Sequence, residues 1–99
     1  MKARFVKDVS VTDAHAASSM AWLYRVFPPV QWDDWGEDPP VVRIADHVVV
    51  SVAGKPHHST VIVAADEDGH VHSWAPIAVE PHENVHPIQM LHRHGFDIE

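Results

Sequence analysis

His47-Val48-Val49-Val50-Ser51-Val52-Ala53 leads through Gly54-Lys55-Pro56 into Ser59-Thr60-Val61-Ile62-Val63-Ala64-Ala65. A tight turn, Asp66-Glu67-Asp68-Gly69, then opens a third run, His70-Val71-His72-Ser73-Trp74. These runs are short, dominated by β-branched residues and separated by turn residues. They read as three antiparallel strands in a meander, with Gly69 free to take positive φ in the second turn. Val41-Val42-Arg43-Ile44 extends the first run toward the N-terminus.

Outward from this centre, the C-terminal part reads as a helix. Asn84 is a candidate N-cap, Pro87 falls in the first turn where its missing N–H costs little, and Gly95 is placed to end the helix as a left-handed cap. Ile88, Leu91 and Met90 supply its apolar stripe, and Phe96-Asp97-Ile98 is either a last short strand or a tail packing back. On the N-terminal side, residues 2–11 alternate apolar and polar around Ala3, Phe5, Val9 and Val11, as a half-exposed strand does. Thr12-Asp13 is a possible helix cap. Residues 13–19 read as a short helical turn and 20–27 as a strand, although Ala16, Met20, Leu23, Tyr24 and Phe27 also fit a helical stripe. Residues 28–40, rich in Pro, Trp and acids, read as a loop.

The expected fold is therefore α+β: one domain over residues 1–99, with an antiparallel sheet of three to five strands and a C-terminal helix packed on one face. Its core should hold Val48, Val50, Val52, Val61, Val63, Val71, Trp74, Ile88 and Leu91. Exposed sheet edges in so small a chain point to a homodimer.

Residues 47–99 resemble small uncharacterised proteins encoded by actinobacterial bacteriophages and their hosts. The shared features are His47-Val48-Val49-Val50-Ser51, Ala65-Asp66-Glu67-Asp68-Gly69-His70-Val71, Trp74, and a helix closing on Gly95-Phe96. The resemblance implies a small accessory protein acting on a host protein, and it brings no activity or site residue with it.

Composition bounds the function. The formal net charge is −7, from fourteen acids and seven bases. The bases are scattered along the sequence, which disfavours the clustered contacts that a phosphate backbone or an anionic membrane requires. With no Cys, disulfide frameworks, Cys-based zinc sites and thiol chemistry are excluded. Charged residues stand where a signal peptide would have its apolar core, and no apolar run approaches the ~20 residues of a membrane helix, so the expected location is cytoplasmic. Only four Gly are present, and neither a G-x-G-x-x-G nor a P-loop pattern occurs.

Ten His invite a search for metal chemistry. His82-Glu83-Asn84-Val85-His86 matches the H-E-x-x-H zinc-protease pattern, and His92 falls where a third ligand of its longer form would sit. That chemistry needs both His on one helical face, with Glu as general base. Pro81 and Pro87 bracket the string, and Pro87 would clash with the Glu83 carbonyl inside a helix. We read the string as a chance match in a His-rich chain. His70 and His72, two apart on an expected strand, share a face, and with His82 and His86 they are the candidate ligands of a zinc site. Asp66-Glu67-Asp68-Gly69 resembles part of a calcium loop, but aligning Gly69 to the loop glycine puts Ala64 and Ala75 at essential ligand positions, which leaves a hairpin turn.

The remaining candidate surface is Trp32-Asp33-Asp34-Trp35 in the acidic loop. Trp is enriched at interface hot spots, and acids beside it would steer a basic partner. In the competing reading the indoles fold back over the sheet and the acids are merely solvated. The expectation is a non-enzymatic protein that works through protein–protein contact or self-association and needs no cofactor. The alternative is a His-based metal-binding module or metal-dependent hydrolase.

Overall fold

The computed structural model describes residues 1–9, 19–34, 39, 41–53, 59–71, 76–81 and 83–99. Among the described residues, six strands and one helix follow in the order β1 (Lys2–Val9), β2 (Ser19–Asp34), β3 (Val41–Ala53), β4 (Ser59–Ala65), β5 (Ala78–Pro81), α1 (Pro87–Arg93) and β6 (Asp97–Ile98). They form a single sheet in the spatial order β5-β4-β3-β2-β1-β6. Every pairing is antiparallel except β1 with β6, which is parallel. The expected class holds in outline, a sheet with one C-terminal helix, but the sheet has six strands rather than three to five and is mixed.

The expected β3–β4 pairing is present, with Val50 opposite Ile62. The turn beyond β4 is built as its residues suggest. Asp66 N–H donates to the His70 carbonyl at 3.0 Å, Gly69 N–H donates to the Asp66 carbonyl at 3.1 Å, and Gly69 takes φ +91°. Of the third expected strand, Val71 makes one bridge to Ala65, and residues 72–75 lie outside the described residues. The Gly54-Lys55-Pro56 turn and the 13–18 part of the expected helical turn also lie outside them.

β2 departs most from expectation. The 20–27 strand is present but runs on to Asp34, so much of the expected 28–40 loop is strand paired with β3. Two prolines in a strand require a place where no ladder bond is demanded. Here Val26, Phe27, Pro28 and Pro29 stand opposite Asp46 alone, between the pairs Arg25↔His47 and Val30↔Ala45. This bulge, in which the Phe27–Pro28 peptide is cis, absorbs both prolines.

Both faces of the sheet are apolar where they meet other chain segments. On the first face, Ala3, Tyr24, Val26, Val48, Val50, Ile62 and Ala64 pack with Val85, Met90, Leu91 and Phe96 from the helical end. Val30, Trp32 and Ala45, beyond the bulge, join the same cluster, so the far half of β2 and β3 curls over the helix side. The second face holds a smaller cluster, Ala21, Leu23, Val49, Val63 and Ala65, flanked by Val9, Val61 and Val71. The 66–69 turn lies against it: a Cβ on Gly69 would fall 2.6 Å from Val9 Cγ1 and 3.7 Å from Leu23 Cδ2.

The helix begins two residues later than expected. His86, not Asn84, is the N-cap, and its Nδ1 accepts from the Ile88 N–H at 3.2 Å. The buried stripe is Pro87, Met90 and Leu91, the i, i+3, i+4 pattern of a helix face, so Met90 and Leu91 are buried as expected while Ile88 is exposed, a correction to the expected core. Val52, Val61 and Val71 are half-buried rather than fully enclosed. Trp74 lies outside the described residues. The stop at Gly95, φ +90°, is as expected, and of the two alternatives for the residues after it the short strand, Asp97–Ile98, is the one present. Buried Thr60 ties the segment before α1 to the sheet: its hydroxyl donates to the Glu83 carbonyl at 2.9 Å and accepts from the Val85 N–H at 2.8 Å.

Candidate functional site

The described sequence candidates fall on different elements: Trp32, Asp33 and Asp34 on β2, His70 after β4 and His86 before α1. Trp32 is 6% exposed and packs in the main core, the placement expected if the indole folds back over the sheet. Its indole nitrogen has no hydrogen-bond partner among the described residues. Asp33 is exposed opposite Val42, Asp34 pairs with Val41 at the end of β2, and Trp35 lies outside the described residues.

The His candidates are not gathered into one described site. His72 and His82 lie outside the described residues. His86 caps α1, and Glu83 precedes the helix, so this part of the H-E-x-x-H string is not on a helical face. His70 follows the β4 turn, where Asp66, Asp68 and His70 bring ligand-type atoms within 4.8 Å of one another. The turn itself uses the Asp66 carboxylate and the His70 ring. Asp66 Oδ1 accepts from the N–H groups of Asp68 and His70, both at 2.9 Å, and Oδ2 lies 3.4 Å from His70 Nδ1. The His70 N–H, with that of Asp68 and the imidazole of His70, holds the Asp66 carboxyl below the usual carboxylate range. The turn hydrogen bonds explain the placing of the Asp66 carboxylate.

A cleft of about 560 Å³ separates the curled part of β2 and β3 from the C-terminal end. Its lining is mainly apolar and includes Pro29, Val30, Ile44, Ile77 and Phe96, together with His94. His94 Nε2 stands 3.2 Å from Glu80 Oε1, and Arg93 lies 4.0 Å from the other Glu80 oxygen while pairing with both Glu83 oxygens at 3.2 and 3.3 Å. The Glu80 carboxylate is thus enclosed in a structural ion-pair network between β5 and α1.

Two surface features could not be read from local sequence. One is the ribbon formed by Val30–Asp34 of β2 and Val41–Ala45 of β3. Toward this end, the last β1 partner of β2 is Lys2 opposite Phe27, and the last β4 partner of β3 is Ala65 opposite His47. Beyond those pairs the two strands pair only with each other among the described residues. On the ribbon, Val42 is 62% and Ile44 67% exposed. The signal available in the sequence was Val41-Val42-Arg43-Ile44, which reads simply as strand.

The other feature is cationic. The β1–β2 register sets Lys2 opposite Phe27, Arg4 opposite Arg25 and Lys7 opposite Leu23. Directly opposed residues share a face, so Lys2, Arg4, Lys7, Arg25 and Phe27 lie on the second face together. The Arg25 guanidinium sits 4.6 Å from the centre of the Phe27 ring. Arg4 pairs with Glu99 at 3.2 Å, and His47, opposite Arg25, pairs with Asp46 at 2.8 Å. The His47 hydrogen bond, with smaller help from the His47 and Arg25 charges, lowers the Asp46 carboxyl below its usual range.

Comparison with protein-family models, with curated proteins and with solved structures finds no match to this chain. Among the described residues no helix is long and apolar enough to cross a membrane.

Proposed function

We propose that this chain is a non-enzymatic interaction protein and that the β2–β3 ribbon is its contact element, engaging another protein or a second copy of the chain. The observation that carries this reading is the pair Val42 and Ile44, 62% and 67% exposed on a ribbon that neither β1 nor β4 flanks. A strand with an unpaired edge offers main-chain N–H and C=O groups to an incoming strand, and neighbouring apolar side chains add affinity and register. Pro28 and Pro29 lack donors, so the usable edge of β2 begins at Val30. An accessory role of this kind agrees with the resemblance to actinobacterial phage proteins, which points to a host protein as partner.

The test uses the full chain and a Val42→Lys/Ile44→Lys variant. Both positions are exposed, so the variant should keep the native far-ultraviolet spectrum and thermal midpoint. We expect the parent chain either to associate with itself between micromolar and millimolar concentration in sedimentation, or to retain one protein at near-stoichiometric yield from an actinobacterial lysate. The variant should weaken that association about tenfold or more. A parent chain that stays monomeric and retains nothing, or a variant that behaves as the parent does, removes the ribbon from consideration.

A further inference from the structure

We propose that the cationic end of the second sheet face is a docking strip for an acidic peptide segment of a partner protein. This surface is separate from the β2–β3 ribbon and does not depend on its role. Strand pairing collects Lys2, Arg4, Lys7 and Arg25 on one face of two adjacent strands, four of the seven Lys and Arg in a chain of net charge −7. That concentration is costly in isolation. Arg4 stands directly opposite Arg25, and like charges opposed across an antiparallel pair destabilise the sheet. Among the described residues, neither Lys2 nor Lys7 has a carboxylate within ion-pair distance. The anionic groups that face the strip are Glu99, on Arg4, Asp97, which stands opposite Lys2 in the β1–β6 register without reaching ion-pair distance, and Asp46, on His47.

Three observations define the ligand chemistry. First, Arg4 already holds a carboxylate, that of Glu99, at 3.2 Å on an exposed surface, so the strip accepts carboxylate oxygens in this geometry. Second, Arg25 is stacked over Phe27, which fixes its planar donor fork and sets an apolar ring beside it; a peptide carrying both acidic and apolar side chains meets both. Third, the strip is short. Lys2 to Lys7 on β1 spans roughly 17 Å at about 3.3 Å per residue, and two strands add about 5 Å of width. An extended segment of about five residues covers it. A long polyanion would run off the strip onto a molecule that keeps only three other Lys and Arg against fourteen acids, and would be repelled there.

A fluorescein-labelled Glu-Val-Glu-Val-Glu-Val peptide, read by fluorescence anisotropy against the full chain, tests the proposal. The peptide should bind, and binding should weaken as salt is added. A Lys2→Gln/Arg25→Gln variant should raise its Kd about tenfold or more. Arg93→Gln, which removes a cation from the α1 network instead, should leave the Kd unchanged. Lys2→Glu/Lys7→Glu leaves the Arg25–Phe27 stack in place and serves if the first variant loses its fold; it should weaken binding at least as much. Absence of peptide binding, a Kd indifferent to both double variants, or tighter binding of an oligothymidylate of matching length than of the peptide would overturn the proposal.

Discussion

At the scale of single residues, Tyr24 reports on the main core. It is the only Tyr in the chain, is buried, and meets Phe5 edge-on with ring centres 5.6 Å apart. Burial raises its pKa above the ordinary 10.0, with a smaller push from the Asp8 charge. A phenol whose folded pKa is raised is fully compatible with the fold below pH 10.0. Above that pH the unfolded chain releases a proton that the folded chain retains, so stability falls as pH rises from 10.0 through the folded value. Phenolate absorbance should therefore lag behind that of free tyrosine on alkaline titration and rise with unfolding. Tyr24→Phe should flatten the dependence of the urea midpoint on pH over that range. A titration superimposable on free tyrosine would mean that the hydroxyl is not held in the core. Trp32 makes a related point about legibility. Its neighbours are acids and prolines, a loop-like setting, and only the non-local pairing of Trp32 with Arg43 places it on a strand facing the core.

At the scale of elements, the 66–69 turn joins local chemistry to tertiary packing. Its Asp66 carboxylate serves two N–H groups, and Gly69 holds a left-handed conformation with no room for a side chain. Gly69→Ala should cost about 1–2 kcal/mol for the conformation alone, and more for the contact with Val9. Val9→Ala in the same chain should recover the contact part and leave the conformational part, a coupling that a double-mutant cycle in urea reads directly. Strictly additive losses would show that the turn does not press on Val9. Elements closed by short-range rules, such as this turn, the β3–β4 strands and the Gly95 stop, were legible in the sequence because the deciding residues are neighbours. β2 was legible only to Phe27, because Pro28, Pro29 and the acids after them carry loop composition, whereas the continuation depends on a bulge and on distant β3. Of the expected helix stripe Met90 and Leu91 are buried and Ile88 is not, because the buried face follows the i, i+3, i+4 positions Pro87, Met90 and Leu91. The cationic strip was hidden for a topological reason, since residues 2, 4, 7 and 25 become neighbours only when β1 pairs with β2.

At the scale of the whole molecule, one sheet serves two cores. β3 sends Val48 and Val50 to the helix side and Val49 to the opposite side; β4 does the same with Ile62 and Ala64 against Val63 and Ala65. Alternation along a strand makes this obligatory, because successive side chains point to opposite faces. Neither cluster can be lost while β3 and β4 remain as strands in place, so both should melt in one transition. Leu91→Ala empties a fully buried site under the helix, and Leu23→Ala empties one on the second face; each should cost about 2–5 kcal/mol. The two side chains belong to different clusters, so the losses should add within about 0.5 kcal/mol in the double variant if that variant still folds. Tryptophan emission and far-ultraviolet circular dichroism should give coincident urea curves for the parent and for each single variant. If Leu23→Ala instead produced an early transition by one probe with the other unchanged, the second-face cluster would be a separately unfolding layer, and the cationic strip beside it would rest on the less stable part of the molecule.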